Sequence, residues 1–70
     1  MKRAILDALE ARYNADIAQA DATLKIYLES PVGIGEHPQH IDECDKLVAK
    51  ISGAKDKLVV LKEFDPNSKL

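Results

Sequence analysis

The sequence contains no tryptophan, a single cysteine and only three aromatic residues. One cysteine excludes a disulfide within the chain and is typical of a reducing compartment. No apolar run approaches the roughly 20 residues that cross a bilayer. Asp7 and Glu10 stand where a signal peptide would have its apolar core, so we expect a mature cytoplasmic start. The net charge of −2 gives no general attraction to nucleic acid or to anionic lipid.

Proline and glycine are scarce outside one segment, residues 30–38, which reads Ser-Pro-Val-Gly-Ile-Gly-Glu-His-Pro. Long stretches with helical periodicity lie on both sides of it. The pattern predicts an all-α fold, a single domain over 1–70 that forms an antiparallel two-helix hairpin. The expected segments are helix 1 over about 3–30, a loop over 31–37, helix 2 over about 38–64 and a tail over 65–70.

Each predicted helix has one apolar stripe with steps of three or four residues. In helix 1 it consists of Leu6, Leu9, Tyr13, Ile17, Ala20, Leu24 and Leu28. In helix 2 it consists of His40, Cys44, Leu47, Ile51, Ala54, Leu58 and Leu61. Antiparallel pairing predicts that facing residues have numbers summing to about 68. The Tyr13 ring is then opposite Gly53 and Ala54, which gives Gly53 a packing role; the alternative is a break in helix 2 at Ser52–Gly53.

The chain has more apolar residues than two facing stripes use. Ile41, Val48 and Val59 lie beside the helix 2 stripe, and Ile5 and Ile26 lie off the helix 1 stripe. Chains below about 70–80 residues rarely build a sufficient core alone. We therefore expect a homodimer or higher oligomer that forms a helical bundle. The predicted interface residues are Ile41, Val48, Val59, Val60, Phe64, Tyr13 and Tyr27.

One cluster has ligand chemistry for zinc, because His37, His40 and Cys44 are spaced to share a helix face. A structural zinc site needs a fourth ligand, and the chain has no other cysteine or histidine. A capping histidine, a boundary histidine and a small core cysteine explain the same residues. We therefore predict no bound metal and no cofactor, with a zinc-linked dimer as an alternative.

Gly33 and Gly35 precede a predicted helix start, as glycines do in some phosphate-binding loops. There is no preceding strand and no P-loop lysine, so a role in reversing the chain is the favoured interpretation. An alternative hypothesis is an oligomer that sequesters a small nucleotide signal. Its pocket would be formed by Gly33, Gly35, His37 and Lys25, with Tyr27 nearby.

No residue set has the pattern of an active site, so we predict a protein that is not an enzyme. Asp42 and Glu43 suit the positive end of helix 2, and no nucleophile, histidine and acid can be brought together. Acidic residues alternate with the helix 2 lysines, which argues against a nucleic-acid surface.

The segment 27–38, followed by Ile41-Asp42 and by Ala54-Lys55-Asp56-Lys57-Leu58, resembles small uncharacterised proteins of T4-like tailed bacteriophages. The resemblance covers roughly residues 12–62. It implies an accessory protein that acts in the host bacterial cytoplasm by binding a host factor. The expected partners are thus a second copy of the chain and a host protein.

Overall fold

The computed structural model describes residues 2–29 and 39–65. Within them the chain forms two α-helices, α1 over Lys2–Glu29 and α2 over Gln39–Lys62, and no strand. The helices pack against each other in a rod with extents of 50 × 17 × 16 Å. The all-α class and the hairpin are as predicted.

Contacts at both ends of the rod agree with the predicted register. At the open end, Arg3 of α1 lies 3.1 Å from Asp65, which follows α2. At the loop end, the rings of Tyr27 and His40 meet edge to face with centroids 5.4 Å apart. The two helices are therefore antiparallel and aligned over their full lengths.

We predicted that helix 2 continues to about residue 64, but α2 ends at Lys62 and a tighter turn follows it. After Lys62 the chain makes three successive i→i−3 hydrogen bonds, donated by the amides of Glu63, Phe64 and Asp65. Such bonds satisfy carbonyls that the helix end would leave without partners. This short turn positions both Phe64 and Asp65 at the open end of the hairpin.

The core is small and lies between the two stripes. Among the described residues, only Leu6, Ala20 and Ala54 are buried hydrophobic residues, and the two alanines are 1% and 4% exposed. Alanine lets helix backbones approach closely, but it contributes little apolar area. Most other stripe residues are half-buried, so one hairpin leaves its packing layer open to solvent on both sides.

Two predictions about the helix contact were wrong. Leu28 is 70% exposed, and Tyr27 takes the place against helix α2 that we had expected for Leu28. A Cβ atom added at Gly53 would meet nothing within 4 Å, so the Tyr13 ring does not pack on Gly53. The Tyr13 ring instead lies below Lys57, one turn farther along α2. The alternative of a break at Ser52–Gly53 was also wrong, since α2 is continuous there.

Candidate protein-interaction surface

An apolar groove of about 780 Å³ opens along one side of the hairpin at its open end. We refer to it as the terminal groove. The first turns of α1 and the last turns of α2 form its walls. Its lining residues are Lys2, Ile5, Leu6, Leu9, Tyr13, Asp56, Lys57, Val60, Leu61 and Phe64.

Helical spacing explains why apolar side chains line this side. Ile5 and Leu9 are four residues apart on α1, and Val60 and Phe64 have the same spacing across the end of α2. Residues so spaced stand one above the other on a helix face. Both pairs therefore extend the buried stripes toward the same side. Phe64 is 60% exposed there, so a large ring lies in solvent at the mouth of the groove.

Three charged residues border this apolar surface: Lys2, Asp56 and Lys57. The Lys57 ammonium lies 5.5 Å from the centroid of the Tyr13 ring, within range of a cation–π interaction. Among the described residues, neither Asp56 nor Lys57 forms an ion pair. The rim therefore has both positive and negative side chains, and Asp56 and Lys57 are not neutralised by an ion pair within the described part of the chain.

The opposite side of the open end is polar. A smaller groove of about 240 Å³, the charged groove, is bordered by Arg3, Glu10, Lys62 and Asp65 among others. The Arg3 guanidinium donates hydrogen bonds of 3.1 Å to both Asp65 and Asp7. The hydrogen bond to Asp65 is the main reason why the pKa of Arg3 is raised. Here the ion pair between Arg3 and Asp65 joins the two helices.

Two exposed apolar side chains of α2, Ile41 and Val48, lie nearer the loop and on the side of the charged groove. Ile41, Val48, Lys55 and Lys62 are spaced by seven residues, close to two helical turns, so they form one row along α2. Because Lys62 borders the charged groove, the row follows that side. Ile41 is 68% exposed and Val48 is 52% exposed. We refer to these two residues as the loop-end ridge.

The predicted interface residues therefore do not form one surface. The structure brings Tyr13, Val60 and Phe64 together in the terminal groove. Ile41 and Val48 lie on the other side, at the other end. Val59 is exposed but does not line the terminal groove. Tyr27 packs on His40 between the helices.

Sequence reasoning missed the charged rim, Lys2, Asp56 and Lys57, because only the pairing of the two helices places these residues together. Ile5 did carry a signal, since it lies off the main stripe of helix 1. Its position next to Val60 and Phe64 follows from the register of the hairpin, which the sequence gives only approximately.

Only one of the residues predicted to form the nucleotide pocket, Lys25, lies within the described part of the chain. Gly33, Gly35 and His37 lie outside the described residues. Lys25 forms an ion pair of 2.9 Å with Asp21 on its own helix. The hydrogen bond to Asp21 is the main cause of the raised pKa of Lys25. The terminal groove lies at the opposite end of the hairpin and contains none of these residues.

The possible zinc ligands are also divided, because His37 lies outside the described residues. His40 and Cys44 lie on the stripe of α2 that faces α1, and Cys44 is half-buried. In the described part of the chain, no three His, Cys, Asp or Glu residues are grouped as metal ligands. Glu43, near the start of α2, contacts Lys46 at 3.4 Å.

Neither helix, in the part that the structure describes, has both the length and the hydropathy of a membrane span. Comparisons with models of protein families, with curated proteins and with solved structures gave no match.

Proposed function

We propose that this chain acts by binding other polypeptides, not by catalysis, and that its working form is a homo-oligomeric helical bundle. The observation that supports this is the ratio of buried to exposed apolar side chains. Three hydrophobic residues are buried among those described. The large hydrophobic residues left exposed are Ile5, Ile26, Leu28, Ile41, Val48, Val59, Val60 and Phe64.

Burial of apolar surface is the main force that offsets the conformational entropy lost on folding. A Leu, Ile, Val or Phe side chain gains about 1.5–3 kcal/mol when it is fully buried. In a single hairpin, very few of the described side chains are fully buried and gain this free energy in full. Packing a second hairpin against the first adds a layer of helices and buries the half-exposed stripe residues. An oligomer is therefore the state in which this sequence gains most from its apolar residues.

The biological setting rests on the resemblance of roughly residues 12–62 to small proteins of T4-like phages. On that basis the oligomer is an accessory protein that binds and modulates a host protein in the bacterial cytoplasm. Exposed apolar residues on both sides of the hairpin support this role, because a bundle that used one side for self-association would still present the other.

Sedimentation equilibrium at micromolar concentrations tests the oligomer. We expect a mass that is a multiple of the 7.7 kDa chain. The double substitution V59D/V60D should shift this mass toward that of the monomer or unfold the chain. A well-folded 7.7 kDa particle would refute the proposal. For the host partner, a tagged chain should retain a bacterial protein that the I41S/V48S variant loses, and retention of the same proteins by both would contradict that part.

A further inference from the structure

The terminal groove has the features of a contact between identical chains. We propose that a second copy of this chain occupies it, packed about a two-fold axis that runs parallel to the hairpin and passes beside Asp56 and Lys57, with Phe64 of each copy against the apolar wall of the other. This rests on the oligomer proposed above and specifies which surface forms it.

The charges at the rim favour a second copy as the occupant. In a two-fold contact the same patch is present on both partners, so a rim of one sign would repel its own copy. Besides Lys2, this rim has a lysine and an aspartate at adjacent positions, and neither Lys57 nor Asp56 has an ion-pair partner within the described chain. A two-fold axis beside them places Lys57 of each copy near Asp56 of the partner subunit, which forms the same ion pair twice.

The size of the available face also fits. A broad side of the hairpin measures 50 by 17 Å. Its projected area is close to the roughly 800 Å² that each partner buries in an interface of standard size. The apolar groove occupies one end of that face, so it would form the dry part of the contact at that end, with charged residues around it.

A foreign protein is a weaker candidate for this surface. The groove continues directly from the core residue Leu6, so a second copy seated in it would extend the hairpin's own core. A second copy of the chain is always available to cover the groove, because it is produced together with the first. The loop-end ridge lies on the other side and would stay outside the contact, which makes it a matched internal control.

Two substitutions separate the groove from the ridge. Phe64 lies beyond the last residue of α2 and Ile41 lies in its first turn, and both side chains are mostly exposed in the single hairpin. Phe64→Ser and Ile41→Ser therefore remove comparable apolar surface without opening the core. We expect Phe64→Ser to raise the dimer dissociation constant by at least about tenfold, because each copy loses a buried ring. Ile41→Ser should change it by less than about twofold.

Sedimentation velocity across a concentration series gives the dissociation constants, and circular dichroism checks that both variants stay helical. An oligomer in which Phe64→Ser has no effect, or in which Ile41→Ser weakens association as much, would overturn the groove assignment and leave the oligomer standing. A wild-type chain that remains monomeric would overturn both.

A charge exchange tests the position of the axis without removing apolar surface, so it remains informative if Phe64→Ser unfolds. Asp56→Lys sets like charges against each other twice and should weaken the dimer by about three- to tenfold at low salt. Adding Lys57→Glu to that variant reverses both signs and should restore association. No change with Asp56→Lys at low salt, or no restoration in the double variant, would overturn the proposed axis.

Discussion

Arg3 and Asp65 join the open end of the hairpin through a 3.1 Å hydrogen bond from the guanidinium to the carboxylate. The two residues lie at opposite ends of the described sequence, so this contact links the first turn of α1 to the turn that follows α2. The pair lies on the side of the charged groove, and the terminal groove lies on the other side.

Replacing Arg3 by alanine should lower the unfolding midpoint slightly, and the loss should shrink as salt is added. The pair is accessible to solvent, where screening weakens ion pairs. Urea unfolding of the wild type, R3A, D65A and the double variant at low and high NaCl measures the coupling between the two residues. Additive single effects at low salt would show that the contact does not stabilise the hairpin.

Gly53→Ala should stabilise the hairpin by about 0.5–1 kcal/mol. Glycine costs that much relative to alanine inside a helix, and an added Cβ meets no atom within 4 Å. Thermal unfolding measures the gain, and Ala49→Gly at an exposed site of α2 is the reverse control, expected to lose a similar amount. A lower melting temperature for Gly53→Ala would contradict the open space around this position.

Ala54→Leu should destabilise the hairpin by about 1–3 kcal/mol, because Ala54 is buried where a larger side chain would force the helices apart. The matched control is Ala49→Leu, which makes the same change at an exposed position of the same helix. Chemical denaturation should place Ala49→Leu near the wild type. Equal stability of the two variants would show that the helix contact does not involve Ala54.

The pKa of Lys25 should lie above its ordinary value of 10.5, because the ammonium donates a hydrogen bond to Asp21. A raised pKa in the folded state means that the contribution to stability is fully present below pH 10.5 and is lost as the pH rises through the folded-state value. NMR titration of the lysine side chains measures it. Asp21→Asn should bring the pKa back toward the ordinary value, and an unchanged titration would exclude this ion pair in solution.

The glycine- and proline-rich break and the three- or four-residue apolar spacing were enough to predict two long antiparallel helices and their approximate register, since both depend on local geometry and chain connectivity. The residue on the stripe near the loop was assigned wrongly. Leu28 and Tyr27 are neighbours at the edge of the stripe, and the choice between them depends on His40 of the other helix. The packing role predicted for Gly53 was wrong, because the spacing of residues along each helix does not show where the Tyr13 ring of the facing helix extends.

The amino-acid sequence by itself determined that this chain forms two helices with more apolar residues than one helix contact can cover, because periodicity and composition are properties of each helix alone. Only the tertiary structure decided which of those residues meet. Packing α1 against α2 places Ile5, Val60 and Phe64 along a groove at the open end, and Ile41 and Val48 on the opposite side nearer the loop. Side chains that are distant in sequence share a surface only when helix packing has fixed the rotation of each helix about its own axis.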